Sequence, residues 1–187
     1  LCYIFAYAQW TWQNPLPQGN DLASIYFTDV NTGYAVGDCG TILKTNDGGI
    51  TWNFLQSQTA EYLSSVFFVN HDTGFITGTG GTILKTTDEG IDWEFLSIVD
   101  SIDLYSIYFP NPNIGYSVGA SNYYNFGVIL KTTDGGISWS DISPGSLLPM
   151  SSIFFVDPNN GYAAGNNGKI LKTNNGGVTW TTYSTGV

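Results

Sequence analysis

An all-β fold of stacked four-stranded antiparallel blades, a β-propeller, is the class the sequence predicts, and three observations carry it. Tryptophans Trp52, Trp93, Trp139 and Trp180 are separated by 41, 46 and 41 residues. Leu-Lys-Thr triplets beginning at Leu43, Leu84, Leu130 and Leu171 keep the same intervals. The pairs Gly33/Tyr34, Gly74/Phe75, Gly115/Tyr116 and Gly161/Tyr162 run in step with them, apart from where the longer interval falls. A repeat of about 40 residues is one supersecondary unit that buries its apolar faces only by stacking on copies of itself.

Within one repeat the order of elements follows from period and punctuation. Strand A is Ser24 to Phe27, and the turn after it ends in Gly33. Strand B is Tyr34 to Gly37, strand C Thr41 to Thr45 and strand D Ile50 to Leu55. Short β-branched and aromatic runs joined by Gly and Asn turns make an antiparallel meander. Four such meanders around an axis give a propeller.

The C–D turn of the first repeat, Thr45 to Trp52, carries Asp47, Gly49 and Trp52. The third carries Asp134, Gly136 and Trp139; the second has Asp88, Gly90 and Trp93, with Glu89 and Asp92 as departures; the fourth has Asn175, Gly177 and Trp180. Such an aspartate accepts backbone N–H bonds, the glycine takes a turn position, and the tryptophan packs on the hairpin. These residues predict turn stabilisation and no metal: each box has one carboxylate at the key position, where a calcium loop alternates several oxygens. The pattern resembles the Asp-box of the bacterial neuraminidase repeat. The longer run Gly33–Trp52 is similar to the photosystem II stability/assembly factor family of propellers, over about residues 10–187. The resemblance implies a lumenal or periplasmic chaperone that binds a reaction-centre subunit with a basic, arginine-bearing face. It also implies that functional loops gather on the D–A and B–C face, with the C–D turns on the opposite rim.

Composition narrows the function. The net charge is −10, with five lysines and no arginine. Nucleic-acid binding needs cations to displace counterions from phosphates, so no nucleic-acid partner is expected. An anionic membrane surface is disfavoured too, and no stretch is long enough for a transmembrane helix. Cys2 and Cys39 make no disulfide framework and no zinc spacing; Cys39 reads as a small buried or loop residue. No cofactor is implied.

At the start, residues 1–8 are apolar and uncharged, and Ala6-Tyr7-Ala8 fits a signal-peptidase site. They read as a secretory signal remnant, which implies a secreted, periplasmic or cell-surface protein. Trp12 precedes Ser24 by 12 residues, against 13 for the later Trp-to-strand-A intervals. Residues 9–21 thus read as an outer strand of a closing blade, followed by blades over 22–62, 63–103, 104–149 and 150–187. The spare strand implies an open part of a six- to eight-bladed ring, with the remaining blades of the parent chain as partners; a closed four-blade ring is the alternative.

The third repeat is longer because Gly119 to Gly127 spans eight positions, against three from Gly37 to Gly40. That B–C insertion brings Tyr123, Tyr124 and Phe126 to the loop face, as candidate binding residues for protein or glycan; the plainer alternative is a loop folded onto its own blade. Glu61, Asp100 and Asp103 add acidic groups in D–A connections. Lys44, Lys85, Lys131 and Lys172 recur in every repeat and read as serving the blade along its neighbour. His71 stands in an A–B turn, without a nearby catalytic partner in the sequence. No catalytic residue emerges. The expected function is a secreted non-catalytic module for protein or glycan binding. A photosystem II assembly-factor-like chaperone is the alternative. A sialidase-type glycosidase fragment is the weaker one, since it would need arginines for a substrate carboxylate and an activated tyrosine.

Overall fold

The computed structural model describes residues 19–96, 101–123, 126–145 and 147–186. The leader at 1–8, most of the proposed outer strand at 9–21, Asp100 and Tyr124 lie outside the described residues. Among those residues the chain forms four separate four-stranded antiparallel sheets, each a simple meander.

Blade 1 comprises β1 (Leu22–Phe27), β2 (Gly33–Gly37), β3 (Ile42–Thr45) and β4 (Asn53–Leu55). Blade 2 comprises β5 (Leu63–Phe68), β6 (Gly74–Gly78), β7 (Ile83–Thr86) and β8 (Glu94–Phe95). Blade 3 comprises β9 (Ile102–Tyr108), β10 (Gly115–Ser121), β11 (Gly127–Thr132) and β12 (Ser140–Asp141). Blade 4 comprises β13 (Met150–Phe155), β14 (Gly161–Gly165), β15 (Lys169–Thr173) and β16 (Thr181–Ser184). Among the described residues no helix is long and apolar enough to cross a membrane.

The core lies between blades, not within them. One cluster joins Tyr34, Val36 and Ile42 of blade 1 to Leu63, Val66, Phe68, Ile76, Leu84 and Trp93 of blade 2. A second joins Phe75 and Ile83 to Leu104, Ile107, Phe109, Val128 and Leu130 of blade 3. The third joins Tyr116, Val118 and Ile129 to Met150, Ile153, Phe155, Ala163 and Leu171 of blade 4. Every residue of β6 and β10 is buried, because a neighbouring blade covers each face; β2 is buried throughout as well. In β14 burial alternates, because one face of blade 4 has no neighbour among the described residues. Tyr162 is accordingly 39% exposed, whereas its counterparts Tyr34 and Tyr116 are fully buried.

The A strands meet at the hub. Tyr26, Phe67, Tyr108 and Phe154 hold the same position in β1, β5, β9 and β13, and their rings form a continuous ladder. Successive centroids lie 5.4, 5.1 and 4.9 Å apart in tilted geometry. Such pairs add roughly 0.5–1.5 kcal/mol each beyond their buried area. The next residue outward, Phe27, Phe68, Phe109 or Phe155, meets Trp52, Trp93, Trp139 or Trp180 of its own blade edge to face at 5.9–6.2 Å.

Strand D is shorter than the sequence implies. Ile50, Thr51 and Trp52 belong to the C–D turn, and pairing is confined to Asn53–Leu55. The Thr51 N–H donates to Asp47 Oδ1 at 2.8 Å and its hydroxyl to Asp47 Oδ2 at 2.6 Å. The turn has taken donors that a longer ladder would need.

Candidate functional site

The meander sorts the turns onto two rims. The C–D turns bond to the A–B turns, through Gly48 N–H to Asn31 O, Glu89 to Asp72, Gly135 to Asn113 and Gly176 to Asn159, all at 2.9–3.0 Å. The B–C turns bond to the D–A connections, through Asp38 N–H to Asp21 O, Thr79 to Tyr62 and Asn166 to Pro149, at 2.8–2.9 Å.

On the first rim each C–D turn is wired alike. Thr45 donates its hydroxyl to Asp47 Oδ1 at 2.8 Å and accepts the Gly49 N–H at 2.9 Å. Thr86/Asp88/Gly90, Thr132/Asp134/Gly136 and Thr173/Asn175/Gly177 repeat that wiring. Gly49, Gly90, Gly136 and Gly177 have φ of +75 to +90°, a region side chains avoid. Hydrogen bonds to Thr51 and Ser138 hold the Asp47 and Asp134 carboxyls down at about 2. Asp88 loses the hydroxyl partner because Asp92 stands in that place; its carboxyl is still lowered, mainly by the Asp92 N–H. Asn175 inverts the last bond, donating its amide to Thr179 Oγ1 at 2.8 Å.

The recurring lysines reach across the seams. Lys44 Nζ donates to the Glu89 carbonyl at 2.8 Å, Lys85 to Gly135 at 2.8 Å and Lys131 to Gly176 at 2.7 Å. The hydroxyls of Tyr34 and Tyr116 reach the first and last of these carbonyls, at 2.6 and 3.0 Å. Burial pushes the Tyr116 phenol up to about 12 and the Lys131 ammonium below its usual range. Lys172 lies over its own Tyr162 ring at 5.7 Å.

His71 lies in the exposed A–B turn of blade 2, where the sequence places it. It is a surface turn residue, yet three carboxylates surround it: Asp72 and Glu89 lie 3.4 and 3.5 Å from Nδ1, and Asp29 lies 3.6 Å from Nε2. Glu89 is brought there by the meander of blade 2, whose C–D turn bonds to its A–B turn, and Asp29 by the stacking of blade 1 on blade 2. Cys39 takes the loop alternative: it is exposed and left-handed at φ 53°.

On the second rim, blade 3 stands out. Its insertion lengthens β10 and β11, so the hairpin projects past its neighbours before turning. Tyr123 is 77% exposed and Phe126 44% exposed. The hairpin is anchored at its base by Asn122 N–H to Ser101 O and Ser121 N–H to Phe126 O, both 2.9 Å. Charges on this rim include Asp21, Asp38, Glu61, Asp103 and Lys169. Glu61 accepts from the Thr79 hydroxyl at 2.5 Å and Asp103 from the Gly80 N–H at 3.1 Å, so both brace the B–C turn of blade 2. The arginine-bearing basic face that the family resemblance implies has no counterpart in these residues.

The sequence reading missed the hub ladder and the tyrosine-lysine pairs. Both were signalled by aromatics recurring at one strand position, but only stacking shows which face they occupy.

These features define a class: a segment of antiparallel propeller built from neuraminidase-type repeats. The chain belongs to the family of the photosynthesis system II assembly factor YCF48, whose model matches residues 4–102. It is similar in structure to YCF48 bound to a D1 peptide, with 22% identity, 90% of this chain and 55% of that chain covered, and a TM-score of 0.70. YCF48 from Cyanidioschyzon merolae is similar at 24% identity, 92% and 59% coverage and a TM-score of 0.70. An ancestral GH74 enzyme is similar at 20% identity, with 92% of this chain and 25% of that chain covered and a TM-score of 0.70. At these identities the structural likeness concerns the fold alone. The chain spans somewhat over half the length of the two YCF48 structures. No curated protein matches the chain.

Proposed function

We propose that this chain is a protein-binding propeller segment of assembly-factor type, which engages an extended stretch of a client polypeptide on the rim of its B–C and D–A turns. It takes precedence over the expectation of a general secreted scaffold for protein or glycan. Family membership supports it, as does the peptide carried by a propeller of similar fold. The observation that carries the site is the projecting blade 3 hairpin with Tyr123 and Phe126 exposed. Aromatic side chains supply contact area at low entropic cost. The acidic groups around it favour a neutral or basic client segment over an acidic one.

We read the C–D turns as structural Asp-boxes, the chain as non-catalytic and its compartment as outside the cytoplasm. The test is an array of overlapping peptides probed with the chain, followed by titration of the best peptide. Replacing Tyr123 and Phe126 together with serine should weaken binding about 10-fold or more, given roughly 1.4 kcal/mol per decade. Unchanged affinity would remove the site. Turnover of xyloglucan or a fluorogenic sialoside would remove the non-catalytic reading, and recovery of the full-length protein from the cytoplasmic fraction would remove the proposed compartment.

A further inference from the structure

His71, Asp72 and Glu89 bring three ligand atoms within 4.8 Å of one another on the C–D rim, the rim opposite the proposed client surface. All three depart from the repeat. Where blade 2 has His71, the other blades have Val30, Pro112 and Pro158; where it has Asp72, they have Asn31, Asn113 and Asn159. Where it has Glu89, they have Gly48, Gly135 and Gly176. That position is left-handed in every blade, at φ +60° in Glu89 and +66 to +72° in the three glycines. The turn therefore works best with glycine, and a carboxylate stands there against backbone preference.

The spacing is that of a coordination shell. His71 Nδ1 lies 3.4 Å from Asp72 Oδ1 and 3.5 Å from Glu89 Oε1. A tetrahedral ion with bonds of about 2.0–2.2 Å holds its donors roughly 3.3–3.6 Å apart. Asp29 lies at the far side of the ring, 3.6 Å from Nε2. That is just beyond hydrogen-bond reach, and a small rotation of the ring on binding an ion at Nδ1 would bring Nε2–H onto this carboxylate, the partner that a metal-bound histidine usually has. Asp29 is itself held by the N–H groups of Asn31 and Thr32 at 2.7 and 3.0 Å. The ligand-bearing turns are also fixed: the Glu89 carbonyl takes Tyr34 and Lys44, and Asn70 Oδ1 takes the Asp72 N–H at 2.9 Å. Lys44 Nζ lies 3.9 Å from Glu89 Oε2, a cation beside one of these carboxylates.

We propose that His71, Asp72 and Glu89 form a binding site for one divalent cation of the Zn2+ type, with water in the fourth position and Asp29 orienting the histidine. One imidazole and two carboxylates form the mixed N/O set that such an ion accepts. The ion clips the A–B turn of blade 2 to its C–D turn, beside the seam with blade 1.

The test is calorimetric titration of the tag-free chain with Zn2+, with Co2+ as a spectroscopic reporter of tetrahedral geometry. One Zn2+ per chain is expected, with visible Co2+ bands and a rise in Tm on saturation. His71→Ala and Glu89→Gly should each lower affinity at least about 10-fold, and Asp29→Asn should lower it roughly 10- to 100-fold. Glu89→Gly restores the residue of the other three blades, so it tests the ligand without threatening the fold. Asp134→Asn, in a C–D turn lacking the other donors, should leave affinity unchanged. No saturable binding below about 1 mM would overturn the proposal, as would affinity that survives Glu89→Gly. Loss with His71→Ala alone would also overturn it, since a lone imidazole is then the site.

Discussion

Lys131 Nζ donates to the carbonyl of Gly176 at 2.7 Å, from the third strand of blade 3 to the C–D turn of blade 4. The same bond joins Lys44 to Glu89 and Lys85 to Gly135, so each seam is closed by one cation on one backbone oxygen. Beneath it the aromatic ring of Tyr34, Phe75 or Tyr116 supports the ammonium at 5.4–5.6 Å. The seam is thus an apolar cluster covered at its rim by a charge-assisted hydrogen bond. That division assigns different consequences to residues that look equivalent in the repeat.

Lys131→Met should destabilise the chain by about 1–2 kcal/mol, since a hydrogen bond from a charged donor is lost while Tyr116 still serves the carbonyl. Lys172→Met should stay within about 0.5 kcal/mol, because Lys172 is an exposed residue of the blade 4 face. Urea unfolding of the two variants side by side checks the contrast. Equal losses would mean that the lysines act within their own blades.

Blade 2 carries Phe75 where blades 1 and 3 carry Tyr34 and Tyr116, whose hydroxyls bond across the seam. Tyr116→Phe should cost about 0.5–1.5 kcal/mol, the net value of one such bond. Phe75→Tyr should recover a similar amount if its hydroxyl reaches the Gly135 carbonyl that Lys85 already occupies. Thermal unfolding of both variants checks it, and a lower Tm for Phe75→Tyr would show that the second seam has no room for the oxygen.

Trp93 is the most deeply buried of the four C–D tryptophans, at 1% exposure, inside the cluster shared by blades 1 and 2; Trp52 is only half-buried. Trp93→Ala should cost about 3–5 kcal/mol as a large-to-small core change, and Trp52→Ala clearly less. Chemical denaturation midpoints at constant m-value decide this.

The C–D carboxylates predict an acid-sensitive fold. Asp47 and Asp134 sit at about 2 in the folded chain, against roughly 3.9 unfolded. A depressed carboxyl contributes stability that is fully present above the unfolded value and lost as pH falls through the folded one. Stability should therefore decline from about pH 4 towards pH 2, and the decline should be shallower in the Asp47→Asn, Asp134→Asn double variant. Asn175 already occupies that position in blade 4 and does not titrate. Urea midpoints measured against pH would show the difference, and parallel slopes would remove these carboxyls as the cause.

Much of this was legible before any coordinates. The Gly-Tyr, Leu-Lys-Thr and Trp markers are local in each repeat, so strand order and the count of four blades follow from spacing, while the family came from the resemblance of the Gly33–Trp52 motif. Strand D was overextended because Thr51 looks like a strand residue, while its hydrogen bonds are claimed by Asp47 four residues earlier. The lysine bonds were invisible because donor and acceptor lie 45 to 50 residues apart. His71 read as isolated although Asp72 follows it directly, because Glu89 comes from the other turn of blade 2 and Asp29 from blade 1.

By itself the sequence determined a set of sheets that bury nothing until they stack, since apolar residues occupy both faces of every middle strand. Tertiary structure alone decided which groups meet at the seams: the lysine on the next carbonyl, the hub ladder of Tyr26, Phe67, Tyr108 and Phe154, and the histidine among carboxylates. Period and turn chemistry act over a few residues along the chain, whereas a seam is set by packing two sheets face to face. Its partners are therefore written in two repeats at once, and only the stacking brings them together.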